Sequence, residues 1–179
     1  MTGTPGDAVW HAILTKRAVR KFAPRSLAPE HLDRILRAGR RAGSSKNLQR
    51  WSFIVVRDAE RRRALSAVGP YASHIAGAAA AIALVTPDPR SDGQPLSVMW
   101  DLGGAAAQMM QLAWSLGIGS CPATVYDHDA ARRILGYPED HWCEYVLSFG
   151  YPADPAELTR PLKAGGRQAL DHLVHEERW

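Results

Sequence analysis

Apolar positions recur along the chain in two rhythms, one helical and one alternating or continuous. Between Asp7 and Lys16, Val9, Ile13 and Leu14 share one helical face, with Asp7 as the predicted N-cap. A second helix is predicted from Pro29 to Ala42. Its stripe is Leu32, Ile35 and Leu36, its arginines lie largely elsewhere on its surface, and Gly43 is its predicted stop. Trp51 to Arg57 (WSFIVVR) is aromatic and β-branched and reads as a strand. Asp58 then caps a helix running through Val68, and Ala78 to Thr86 reads as a buried strand. Pro95 to Leu116 is the longest helical pattern, rich in Ala, Met and Gln. Its small residues and scarce charge suit a central helix, a dimer seam, or both. Ser120 to Val125 is extended, Asp127 to Leu135 is a helix capped by Asp127, and Glu144 to Phe149 is a strand ending at Gly150. Ala169 to Glu177 is a terminal helix or an extended arm. Helices alternating irregularly with about four strands predict an α+β or mixed-sheet fold, not a regular βαβ repeat.

The 179 residues are expected to form one domain, residues 1–179, large enough to bury a core. The loop-like stretches Thr86–Pro95 and Tyr151–Gly166 read as connections inside it. With 46% hydrophobic and 22% charged residues, the chain is neither disordered nor a membrane protein. Its most apolar run, Ile75 to Val85, falls far short of the roughly 20 residues that span a bilayer. No signal-peptide pattern opens the sequence, and Cys121 and Cys143 have no CxxC spacing. A cytoplasmic, reducing setting is therefore expected.

Charge narrows the possibilities further. The net charge is +4, with basic residues gathered at Lys16–Arg25, Arg34–Arg50 and Arg57–Arg63. Such an excess suits nucleic acid, an anionic membrane, or a phosphate-bearing small molecule. Neither GxGxxG after a strand nor GxxxxGK[ST] occurs, so the common dinucleotide and P-loop fingerprints are absent.

Four segments could carry chemistry. KRAVRKF (Lys16–Phe22) places four cations in six residues, able to converge on one phosphate or simply to form a solvated basic turn. Arg40–Trp51 (RRAGSSKNLQRW) offers hydroxyls, amides and cations to the polar edge of a heterocycle; equally, its Ser and Asn could satisfy their own backbone. Gly117–Val125 (GIGSCPATV) could present backbone to a flat ligand or merely feed a strand. Lys163–Arg167 is a Gly-hinged loop with a cation at each end, suited to an anion or to solvent. Arg61 to Arg63 are most simply a solvated face. His172, His175 and Glu176 lack the further ligands of a zinc site, and Cys121 has no His or Asp pattern to activate it. No serine sits in GxSxG, and Asp33, Glu60 and Asp101 suggest no acid/base pair. No metal site is expected.

In this order, KRAVRKF, AGSSKNLQRW, LGIGS and the closing GGRQALDHLVHEERW resemble the FMN-dependent nitroreductase family over nearly the whole chain. NLQRW, at its spacing from KRAVRKF, is the most specific part. The resemblance implies an α+β fold with a mixed sheet surrounded by helices, in an intertwined homodimer with FMN in the subunit interface. It matches Lys16, Arg17 and Arg20 to phosphate and ribityl contacts, with Ala18 where the family has Ser, and Arg167 to a further phosphate contact. Arg41, Ser44, Ser45 and Asn47 match the loop that a partner chain brings to the flavin. Pro122, Ala123, Thr124 and Val125 match the segment against the ring, where a backbone N–H reaches N5. Gly103, Gly104 and Ala107 fit the long interface helix. Three departures stand out: Gly43 and Arg50 replace family prolines, and Ala18 lacks a hydroxyl.

The implied activity is ping-pong hydride transfer, from NAD(P)H through FMN to a nitroaromatic, quinone or similar acceptor. The protein orients the cofactor and tunes its charge, and no acid/base side chain is nominated as catalytic. The same scaffold supports dehalogenation, flavin fragmentation and azoline oxidation. A non-catalytic nucleic-acid-binding domain is the reading from another class, disfavoured by the lack of an aromatic-interleaved basic patch.

Overall fold

Strand β2, Ala80–Pro87, explains the architecture, because it is buried along nearly its whole length on both faces. It pairs antiparallel with β1 (Ser52–Val56) on one side and β4 (His141–Gly150) on the other. β4 pairs in turn with β3 (Gly119–Thr124), giving the order β1-β2-β4-β3. The computed structural model describes residues 5–162 and 165–179.

One face of the sheet carries Ile82, Leu84, Leu147 and Phe149 and packs against α2 (Pro29–Arg40) and α4 (Ser97–Ser115). The other carries Ala81, Ala83, Val85, Ala123 and Val146 and packs near α3 (Ala59–Leu65) and α5 (His128–Leu135). Burial on both faces is why β2 reads as a continuous apolar run rather than an alternation. A register shift in β4, between partners Leu84↔Tyr145 and Val85↔Cys143, adds one residue to that strand. Cys143 therefore faces the α3/α5 side, although Tyr145, two residues on, reaches the α4 side.

Several expectations are corrected in detail. All three ladders of the four-stranded sheet are antiparallel; among the described residues the mixed character enters only as an isolated parallel bridge, Ala18↔Ser120. The first helix, α1, spans Pro5–Thr15, so Asp7 lies inside the first turn and is not the cap. An acidic residue still suits that end of the helix. α2 ends at Arg40 with Arg41 as its right-handed C-cap, two residues before the predicted Gly43 stop. α3 ends at Leu65, short of Val68. The terminal stretch is an exposed arm with one 3-10 turn at Leu170–His172.

The Asp58 and Asp127 caps stand where predicted. The Asp58 side chain accepts from the Arg61 amide at 2.8 Å, and that of Asp127 from the Ala130 amide at 2.9 Å. Among the described residues, no helix is long and apolar enough to cross a membrane.

Candidate functional site

The Lys16–Phe22 segment leaves α1 and runs beside the free edge of β3. Val19 N–H donates to the Ser120 carbonyl at 3.0 Å, and Val19 is fully buried. Gly119 makes this approach possible. A Cβ there would stand 2.6 Å from the Val19 Cβ, closer than real side chains tolerate. Farther along, Ala23 N–H donates to Tyr151 and Ala153 N–H to Lys21, tying the same segment to the chain beyond β4.

This docking gathers cations around the start of β3. Burial pushes the Lys16 ammonium below its usual pKa, and the Cys121 thiol is the charge partner that opposes the shift. The hydrogen-bond contact of Lys16 is the soft Met110 sulfur on α4, at 3.9 Å. Burial raises the Cys121 pKa, while the nearby charges of Arg20 and Lys16 act against that rise. Cys121 is thus a buried thiol in a positive field, and two cations converge beside it.

Arg17 is oriented differently. Its guanidinium donates to the carbonyls of Leu14, Lys16 and Arg160. Arg160 answers by donating to the Ala18 carbonyl at 3.3 Å and by pairing with Glu157. This clasp was not visible in the sequence, where Arg160 stood in a stretch read as a connecting loop.

Next to the cations lies an apolar cavity of about 260 Å³, lined in part by Met99, Leu102, Ala106, Met110, Pro122 and Tyr145. α4 also contributes exposed Gly103 to its lining, where a Cβ would meet nothing within 4 Å. β3 ends beside it. Val125 N–H donates to the Glu144 carbonyl, so antiparallel alternation turns the Ala123 and Cys121 amides toward β4 as well. Of the four residues at Pro122–Val125, that leaves Thr124 with an N–H on the free edge, since Pro122 has none.

The structure thus brings the first and third sequence-predicted groups together. The Arg41–Asn47 loop sits elsewhere, pinned to α4 by Ser45 N–H donating to buried Asp101 at 2.9 Å. Asp101 and Met110 are nine residues apart, or about 13 Å along the helix. The loop is unusual in its backbone. Lys46, Asn47 and Gln49 have φ of 51°, 55° and 50°, a left-handed conformation that favours glycine. Ser44 Oγ accepts from Gln49 N–H, and the Gln49 amide donates to the Asn47 carbonyl, so side chains brace the turn. Arg50 in place of Pro frees Gln49 from the extended conformation that a following proline imposes. Arg41 is exposed beside it.

Arg167 lies on the exposed arm with its guanidinium on the Gly166 carbonyl; Lys163 and Ala164 lie outside the described residues.

Two functional positions were missed. Asp101, whose spacing suggests no acid/base pair, is the loop's anchor. His74 is buried under Pro122, its Nδ1 2.8 Å from Ser148 Oγ, and Ser148 Oγ donates to the Cys121 carbonyl. Burial, and then the charge of Arg20, push its pKa down. It supports β3 from behind as a neutral imidazole.

A comparison with known families decides the identity. Residues 13–72 and 69–151 match the model of the Nitroreductase family. The chain belongs to the nitroreductase family. A relative from Archaeoglobus fulgidus, provisionally named an NADH dehydrogenase/NAD(P)H nitroreductase, is 35% identical over 173 residues, 93% of this chain and 96% of its own. The NADPH-flavin oxidoreductase of Vibrio harveyi is 28% identical, covering 93% of this nitroreductase-family chain and 72% of its own length. Among solved structures, an FMN-dependent nitroreductase from Clostridium difficile superposes with a TM-score of 0.79 at 26% identity, over 94% and 98% of the two chains. In this nitroreductase-family chain the cation cluster touches Met110, and the apolar cavity runs along α4 from there back to Met99.

Proposed function

We propose that this protein is an FMN-dependent oxidoreductase. It would take hydride from NAD(P)H and pass it to a small acceptor of the nitroaromatic or quinone class. One observation carries the reading: half-buried Lys16, with no carboxylate against it among the described residues, touches Met110 in the wall of an apolar cavity, and Arg20 joins it beside Cys121 on the strand whose outer edge carries the Thr124 N–H. The donor set suits FMN, which joins a phosphate dianion to a flat, largely apolar ring with one polar edge. A phosphate beside Lys16 would supply the missing counter-charge and restore its pKa.

In this reading Lys16, Arg17 and Arg20 hold the phosphate and ribityl chain. The Ala18 backbone is in the same run, and Arg167 arrives from the arm. Met110, Leu102 and Pro122 exclude water from the ring. The Thr124 N–H is the donor aimed at N5, with Ala123 and Val125 fixing its direction through their pairing to β4. Arg41, Ser44, Ser45 and Asn47 come from a second copy. Their loop is pinned at Asp101, about 13 Å along α4 from the Met110 that Lys16 contacts, and exposed Gly103, Gly104 and Ala107 lie between. Bound FMN would supply the two-electron hydride chemistry. The protein holds the ring, keeps it dry and places cations where negative charge accumulates. No side chain is assigned as general acid or base.

The test is NAD(P)H oxidation by purified protein supplied with FMN, against a panel of nitroaromatics and quinones. Acceptor-dependent turnover that disappears without FMN is expected. Turnover indifferent to FMN, or none with any acceptor, overturns the reading.

A further inference from the structure

A second basic site lies away from the Lys16–Arg20 cluster and is lined by none of its residues. It is a cavity of about 360 Å³ between the Ala23–Leu27 segment, the first turn of α2, and the ends of β1 and β2. Arg25, Arg57 and Arg62 line it, with Ser26, and no carboxylate does. Three like charges around one hollow repel each other unless an anion joins them.

Arg62 departs from the solvated face expected for Arg61–Arg63. It is half-buried, its Nη1 reaches the Arg57 carbonyl at the end of β1, and its Nε is buried with no hydrogen-bond partner among the described residues. A buried unpaired guanidinium nitrogen is costly, and an anion beside the same side chain would offset that cost through charge. A further contribution comes from α2. Its first turn stands beside the cavity with Pro29 and Leu32 in the wall; the His31 and Leu32 amides donate to the Ala28 carbonyl and Pro29 has no N–H, so the helix contributes its dipole and not a set of free donors. Glu30 shares that turn but does not line the cavity.

We infer that this cavity is an anion-binding site for a phosphate group, carried by a small organic molecule or free in solution. Arginine forks match phosphate oxygens in pairs. The volume falls within the roughly 300–1,000 Å³ of small-molecule pockets. Ala23, Pro24, Leu27 and Ala78 give an apolar wall for an organic portion. The site differs from the proposed FMN site in its residues and does not depend on it.

The experiment is calorimetric titration of FMN-saturated protein, in phosphate-free buffer, with adenosine monophosphate, inorganic phosphate and adenosine. Saturable binding of the phosphate-bearing probes is expected, with adenosine silent. Adenosine monophosphate binding more tightly than inorganic phosphate identifies a phosphorylated organic ligand; equal affinities identify free phosphate. Arg57→Gln and Arg25→Gln alter exposed side chains and should each weaken binding about tenfold while leaving FMN content unchanged. Arg20→Glu, which alters the other cluster and weakens FMN binding instead, should leave the affinity for both phosphate probes unchanged. No saturable binding of either phosphate probe overturns the inference, as does affinity unaffected by both Arg57→Gln and Arg25→Gln.

Discussion

His74 shows how much one buried residue can do for a site it does not line. Its ring joins the loop before β2 to Ser148 on β4 and, through that hydroxyl, to the Cys121 carbonyl on β3. Its pKa is lowered in the fold, so the unfolded chain binds a proton first as pH falls. Stability from the neutral ring is therefore complete above the ordinary histidine value of about 6.5 and is lost as pH drops from there toward the lowered folded value. Urea midpoints should fall between about pH 7.5 and about pH 5.5, and His74→Asn should flatten that slope. Gly119 is the second such residue. Gly119→Ala places a methyl group against the Val19 Cβ with no flexible atom to yield. We expect a loss of about 1–3 kcal/mol in urea unfolding. Weaker FMN uptake should accompany it, because the Lys16–Arg20 segment is pushed off β3.

At the scale of elements, the loop after α2 holds most of the unusual backbone. Three residues in five have left-handed φ, and none is glycine. Lys46→Gly should stabilise the fold by up to about 1 kcal/mol by relieving that strain. Asp101→Ala should cost about 1–3 kcal/mol by orphaning the Ser45 amide. Both are read by thermal or urea unfolding. These elements also show what a sequence can and cannot disclose. The strand around Phe53 was legible because an aromatic and β-branched run declares itself, that around Ile82 only as a short apolar run rich in alanine, and Asp58 and Asp127 were legible because a cap acts three residues away. Asp101 and His74 were not, because their partners lie 56 and 74 residues distant. The end of α2 was misplaced because Arg41 closes it with ordinary right-handed backbone, so no glycine was needed. Arg62 was taken for a solvated charge because three consecutive arginines look alike until one folds back onto β1. The cation cluster was legible as residues, but its place beside β3 depends on the close approach at Gly119.

Across the whole molecule, the apolar surface is incompletely covered. Val9, Trp10, Ile13 and Leu14 on α1 are each at least half exposed, Trp100 on α4 is 84% exposed, and Leu170 on the arm is 74% exposed. Exposed apolar residues on two helices and an arm exceed what a monomer usually shows to water. We expect sedimentation at twice the 19.6 kDa of one chain. Removal of the arm from Gln168 onward should shift the equilibrium toward monomer and release flavin together with it. A stable monomer that retains full flavin would separate cofactor binding from assembly. A related expectation concerns charge: Arg20→Glu should weaken FMN binding at least about tenfold in a fluorescence titration, since it sets a carboxylate against a phosphate.

The central claim is that Lys16, Arg20 and the cavity beside Pro122 hold a redox-active FMN. Its most direct test is the visible spectrum of the FMN-saturated, desalted protein under anaerobic conditions, before and after NADH or NADPH is added. The account predicts a retained yellow chromophore whose visible band disappears with one equivalent of reduced nicotinamide, because the cofactor accepts one hydride and its two electrons. A protein that elutes colourless, or one that keeps its flavin band with both nicotinamides in excess, would contradict it.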